Sequence, residues 1–259
     1  MRAYVQQFLE GDQSYLNFER FAHWFRERDY EVIRFDYSDL DDGVLDRGLL
    51  KHPAETIVAG SVKAVRDALI RARRGPSKVP DLPESLKPWI GREYYTTDFG
   101  EIRSLFAADS PRLPLHIKPL KSAKLFTGRV VHQLSDLARL GDVDDSEPIL
   151  VQETVTFVSE WRAYVLRDRI VHVGRYAGDP LLFPDPHSFR NALSAFDGRP
   201  IAFSMDWGLT PDGKTLLVEV NDGVALGNYG LEGKLHIALI EARWRQLMGL
   251  PDNGIGLYL

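Results

Sequence analysis

Ser204-Met205-Asp206-Trp207-Gly208, then Thr210-Pro211-Asp212-Gly213, then Leu216-Leu217-Val218-Glu219-Val220-Asn221 is the stretch on which the fold turns. Asp-Gly between two apolar runs is a hairpin signal, because both residues tolerate the positive φ of a tight turn. With Asp212 and Gly213 at the turn centre, Asp206 is expected opposite Glu219, and Ser204 opposite Asn221. Glu219 and Asn221 lie two apart on a strand and share a face. Two carboxylates and an amide oxygen then meet on one patch. Facing carboxylates repel unless a cation sits between them, and an all-oxygen set suits hard magnesium. The other reading is an exposed hairpin face whose acids are simply solvated. Glu219 and Asn221 interrupt an apolar strand, which favours the metal. A turn with an odd number of residues would shift this register by one.

The hairpin upstream runs Glu160-Trp161-Arg162-Ala163-Tyr164-Val165-Leu166, Asp168-Arg169, Ile170-Val171-His172-Val173-Gly174-Arg175. A two-residue turn at Asp168 and Arg169 sets Arg162 directly across from Arg175. Like charges across a ladder are unfavourable. An anion would relieve them, since guanidinium forks match phosphate and carboxylate. The other reading is a structural network in which Glu160 and a second acid neutralise both arginines. Farther upstream, His116-Ile117-Lys118-Pro119-Leu120-Lys121-Ser122-Ala123-Lys124-Leu125-Phe126-Thr127-Gly128 ends a strand with Lys118 and puts two more lysines in the loop. Such ammoniums suit a triphosphate, although loop lysines are ordinarily solvated. The Gly-x-x-x-x-Gly-Lys-Ser/Thr pattern of a P-loop is absent.

Around these segments the pattern predicts strands at 3–8, 30–37 and 56–59, with helices at 15–28 and 61–74. The first helix carries Tyr15, Phe18, Phe21, Ala22 and Phe25 on one face. Pro76, Pro80, Pro83 and Pro88 forbid a continuous helix or central strand, so a linker or surface strap follows. Next come a strand at 113–118, a helix at 134–140 and an acidic loop at 142–147. Strands at 149–153, 160–166, 170–176, 201–207 and 215–221 read as antiparallel, and a helix at 235–248 closes the pattern. The expected organisation is an α/β unit over 1–76 and a second domain over 77–259. That domain divides into a lysine-bearing part (89–148) and an antiparallel part (149–259).

The chain has 259 residues, 44% hydrophobic and 27% charged, with a formal net charge of −5. That length buries a sizeable core, and that charge argues against a nucleic-acid backbone as partner. Arg66, Arg71, Arg73 and Arg74 gather at a helix end, where cations offset the helix dipole. The absence of cysteine excludes disulfides, thiol nucleophiles and thiolate metal sites. No basic segment followed by a long apolar run opens the chain, and no stretch reaches spanning length. A cytoplasmic protein with no membrane partner is expected.

Taken together, these segments resemble the ATP-grasp superfamily over almost the whole chain. The resemblance implies an α+β fold with a small α/β pre-domain and two subdomains clasping ATP. It implies magnesium on Asp206, Glu219 and Asn221, and Lys118 on the phosphates. Gln152, Glu153, Thr154 and Val155 look like the hinge at the adenine edge, and Glu160 like the acid that holds the ribose. Lys124-Leu125-Phe126-Thr127-Gly128, Glu160-Trp161-Arg162 and Arg175 resemble a compact bacterial and phage clade defined by two arginines and a lysine. Arg162, Arg175 and Lys124 match that set, and Glu219-Val220-Asn221-Asp222-Gly223 and Gly227-Asn228-Tyr229-Gly230 fit its ending. Only Gly128 remains of the several glycines in many related phosphate loops. The implied activity is ligation of a carboxylate to an amine, each small or peptidic, through an acyl phosphate. A phosphotransferase or a non-catalytic nucleotide sensor are the alternatives.

Overall fold

The computed structural model describes residues 1–8, 15–76, 79–108, 114–120 and 125–254. The chain divides into two compact units, Met1–Ile90 with Phe157–Leu259, and Gly91–Thr156.

The first unit opens with β1 (Arg2–Gln6), α1 (Tyr15–Arg26), β2 (Glu31–Phe35), α2 (Tyr37–Asp41), β3 (Thr56–Ala59) and α3 (Val62–Arg71). The strands form a parallel sheet in the order β2-β1-β3. Strand β3 is buried at every position, as a covered parallel strand requires. Helical spacing in α1 buries Phe18, Phe21, Ala22 and Phe25 against this sheet. The side chain of Tyr15 lies outside the described residues. Ser61 caps α3 by accepting from the Ala64 amide, and Arg71 at its end grips Asp46 with two hydrogen bonds. After α3, the proline-containing segment includes the short helix α4 (Lys87–Ile90). It is a strap along a sheet edge, since the Asp81 carbonyl accepts from the Val220 amide at 2.8 Å.

The second unit contains β4 (Tyr94–Asp98), α5 (Phe99–Ala107), β5 (Leu115–Pro119), β6 (Arg129–Val131), α6 (Leu134–Ala138) and β7 (Pro148–Glu153). Its antiparallel sheet runs β4-β7-β5-β6. Phe99, Ile102 and Phe106 of α5 share a core with Ile117, Val131 and Val151 of the sheet. The sequence pattern predicts neither β4 nor α5. Strand β4 reads Tyr-Tyr-Thr-Thr-Asp and lies exposed on an edge, so it shows no apolar alternation.

The chain returns to the first unit through β8 (Ser159–Leu166), β9 (Arg169–Gly178), α7 (Pro186–Ala195), β10 (Ala202–Leu209), β11 (Thr215–Asp222) and α8 (Gly233–Leu247). The second antiparallel sheet has the order β11-β10-β8-β9. Helix α7 is likewise outside the elements expected above, although Phe189, Leu193 and Phe196 carry a legible helical spacing. Helix α8 is buried from His236 to Trp244 and has two apolar stripes. Ile237, Ile240 and Trp244 join the core of the parallel sheet, and Ala238, Leu239 and Ala242 join that of the antiparallel one. Each large side chain so buried contributes roughly 1.5–3 kcal/mol. Polar groups along the helix are satisfied: Tyr30 and Asn253 donate to Glu241, and Trp244 Nε1 donates to the Thr56 carbonyl. Among the described residues, no helix is long and apolar enough to cross a membrane.

Candidate functional site

Strands β10 and β11 pair Asp206 with Glu219 and Ser204 with Asn221, as expected, but not for the expected reason. The turn has three residues, 211–213, closed by the Thr210 amide donating to the Lys214 carbonyl at 2.9 Å. Gly213 takes the left-handed position, φ +81°. Near the turn, Leu209 faces Thr215 and Trp207 faces Leu217, one residue short of the two-residue register. Val218 then bulges out, and the ladder resumes with Asp206 opposite Glu219. The odd turn and the bulge cancel.

The β8–β9 hairpin behaves differently, and the opposition of Arg162 and Arg175 is corrected. Arg167 and Asp168, with φ of 48° and 61°, form the turn, so Leu166 faces Arg169. Bulges follow between Tyr164 and Val165 and between Glu160 and Trp161. In the stretch between them Arg162 faces Gly174, and Arg175 faces Trp161. Alternation therefore sends Arg162 and Arg175 to opposite sides of the sheet. Arg175 donates to the Gly178 carbonyl at 2.7 Å.

On its own side Arg162 is 9% exposed and meets Asp206 of the neighbouring β10. Its Nε and Nη2 donate to the two Asp206 oxygens, each at 2.7 Å. Burial works hardest against the guanidinium charge, but the hydrogen bonds and charge of Asp206 outweigh it and hold the Arg162 pKa above its ordinary value. The aromatic rings of Tyr229 and Tyr176 lie 5.1 and 5.9 Å from the guanidinium carbon. Tyr176 donates to Glu160 at 3.0 Å, and burial with the nearby acids raises its pKa. Gly174 makes this cage possible. A Cβ there would lie 2.0 Å from the Tyr229 carbonyl, so only glycine admits the loop at 227–230. Tyr164 anchors the same loop, its hydroxyl donating to the Gly227 carbonyl and accepting from the Tyr229 amide. Beneath it, His236 holds the Leu226 carbonyl at 2.9 Å, and burial pushes its pKa down to about 4.

Asn221 joins the acids. Its Nδ2 donates to Asp206 Oδ2 at 3.3 Å and to Glu219 Oε1 at 3.0 Å. Three polar groups thus meet at one point. No trio of histidine, cysteine, aspartate or glutamate suited to a metal occurs among the described residues; here an amide would be the third donor. The set fits a hard cation once the Asn221 amide is turned: Oδ1 then replaces Nδ2, and Asp206 Oδ2, which here accepts from both Arg162 and Asn221, regains a lone pair.

The other expected site residues lie on β5, β7, β8 and the segment between the last two. Lys118 is half-buried on β5, opposite Leu150. Gln152 is buried on β7, accepts from Arg92 at 2.8 Å and lies 3.3 Å from His116 Nδ1. Glu153 accepts from the Glu93 amide through its side chain. Thr154 and Val155 have no hydrogen-bond partner among the described residues, which leaves their backbone groups available. Lys121 and Lys124 lie outside the described residues. The Arg162–Asp206 pair was missed because it joins β8 to β10, strands separated in sequence by β9 and α7. Tyr176 and Tyr229 gave no signal beyond being aromatic beside charged or glycine-rich motifs.

Residues 89–239 match the model of the ATP-grasp domain, R2K clade family 2. No curated protein matches the sequence. Among solved structures, D-cycloserine synthetase DcsG aligns over 95% of this chain and 100% of its own, at 11% identity and a TM-score of 0.59. D-alanine–D-alanine ligase from Bacillus anthracis, complexed with ATP, aligns over 96% of this chain and 98% of its own, at 12% identity and a TM-score of 0.59. These likenesses show the fold. With the matched family model covering more than half of its length, the chain belongs to the ATP-grasp domain family, R2K clade family 2.

Proposed function

We propose that this chain is an ATP- and magnesium-dependent ligase that joins a carboxylate to an amine through an acyl phosphate. The reading is carried by the meeting of Asp206, Glu219 and Asn221, within 3.3 Å through one amide, in a chain of the ATP-grasp family. Magnesium held by these three would offset phosphate charge. Lys118 and Lys124 would neutralise the phosphates, the backbone at 152–155 would meet the adenine edge, and Glu160 would take the ribose hydroxyls. Arg162 is pre-oriented by Asp206 and the two tyrosines, so its remaining N–H groups would be aimed without further ordering cost. For Arg175, only the clade resemblance supports a place near the reacting groups.

The reaction needs no side-chain nucleophile. A substrate carboxylate oxygen attacks the γ-phosphorus and ADP leaves; the amine then attacks the acyl carbon, phosphate leaves and the nitrogen loses a proton. The substrates are small or peptidic. A screen of paired carboxylates and amines tests this, with ADP and amide product measured together. ADP release that needs both partners supports the ligase. A stable phosphorylated product without amine makes the chain a phosphotransferase. Nucleotide binding indifferent to magnesium removes the metal assignment.

A further inference from the structure

The side of the antiparallel sheet away from Arg162 carries a second feature. Helix α7 lies on it, with Phe189 packed on Trp207 at 4.9 Å and Phe196 on Phe203 at 5.2 Å. Between α7 and β9 a cavity of about 490 Å³ is walled by Ile170, Val173, Phe183, Phe189 and Leu193. Arg169 and Arg190 also line it, both exposed, and neither has an acidic partner among the described residues. Asp168, the one acid in its lining among the described residues, is held by Arg199 at 2.6 Å. Beside the groove Leu181 and Phe183 are 88% and 48% exposed. Strand β9 is the edge of its sheet, so no further strand pairs its outer backbone groups among the described residues.

These features select one occupant. A small anion would have no use for the apolar wall, and an apolar molecule none for two uncompensated guanidiniums. An extended peptide uses both: side chains two residues apart share its groove-facing side, so a leucine fills the apolar wall and a carboxylate two residues on reaches the arginines, while its backbone follows an open strand edge.

We infer that this groove docks an acidic, leucine- or phenylalanine-bearing segment of a polypeptide substrate, on the sheet face opposite the Arg162–Asp206 pair. Calling the peptide a substrate rests on the ligase reading; the docking does not. The probe is a fluorescein-labelled octapeptide, Leu-Ser-Glu-Ser repeated twice, which puts leucine and glutamate on one face, followed by anisotropy with the full chain and no nucleotide. Saturable binding is expected, weakened at least about tenfold by Arg169→Glu with Arg190→Glu and retained by Arg169→Lys with Arg190→Lys. Unchanged melting temperatures show that both variants fold. The proposal is overturned by equal binding to parent and charge-reversed variant, by equal binding of the octapeptide with lysine in place of glutamate, or by no binding. It is also overturned if only phosphatidylserine vesicles bind in an arginine-dependent way. Docking without any ADP release on adding carboxylates and amines breaks the ligase reading and leaves the groove.

Discussion

The β10–β11 and β8–β9 hairpins lie in one sheet, and a two-residue turn predicts the register of both. Neither turn falls where expected. In β10–β11 the turn error is one residue, and a single bulge at Val218 removes it before Asp206. In β8–β9 the error is two, and the first bulge removes only one before Arg162. The same device therefore restores one pair and separates the other. Turn chemistry sets the first few pairs of a ladder, whereas bulges set which residues face each other beyond them.

The largest test of this contrast is Asp206→Ala. It leaves Arg162 buried without its partner and should cost about 3–5 kcal/mol in denaturant unfolding, with turnover lost. A loss below 1 kcal/mol would mean that the pair across β8 and β10 is not what organises the site.

Next is the floor on which the loop from β11 rests. His236 titrates at about 4 in the fold and 6.5 in the open chain, so the unfolded state takes up its proton first as pH falls. Stability should fall by roughly 3 kcal/mol from about pH 6.5 down to about 4 and stop falling from this cause below that. His236→Gln should flatten that part of the curve. An unchanged slope would assign it to other groups.

Two glycines then separate conformation from contact. Gly174→Ala meets the Tyr229 carbonyl and should cost about 1–3 kcal/mol while moving Tyr229 off Arg162, read by unfolding and by the Tyr229 ring signals in NMR. Gly213→Ala meets nothing within 4 Å and should cost about 1 kcal/mol for its φ alone, with turnover kept. Equal disturbance of the site by both would show that the β10–β11 turn, not its bulge, governs Asp206.

The smallest effect belongs to Arg175→Met. Exposed on the opposite face, Arg175 should change stability by less than about 0.5 kcal/mol. ATP should raise the melting temperature of parent and variant equally. A smaller shift in the variant would return Arg175 to the nucleotide, as the clade resemblance has it.

What the sequence determined by itself is local or periodic. Helical spacing located α1, α3 and α8, apolar alternation located the strands around both hairpins, and the Glu-x-Asn spacing put Glu219 and Asn221 on one face. Those signals need no knowledge of neighbours, because 3.6 and 2.0 residue periods are properties of the chain. The parallel sheet's order, the burial of α8 on two sides and the Arg162–Asp206 pair were decided only in three dimensions. Even β4 belongs there, being held by its partner β7 and not by its own polar sequence. Arg162 shows the reason most directly. Its charge predicts that a partner is needed, but that the partner is Asp206 depends on β8 lying beside β10, and that Arg175 is not opposite depends on the turn at 167–168 and the one residue of β9 skipped before Gly174; neither is written in the spacing of Arg162 to anything near it.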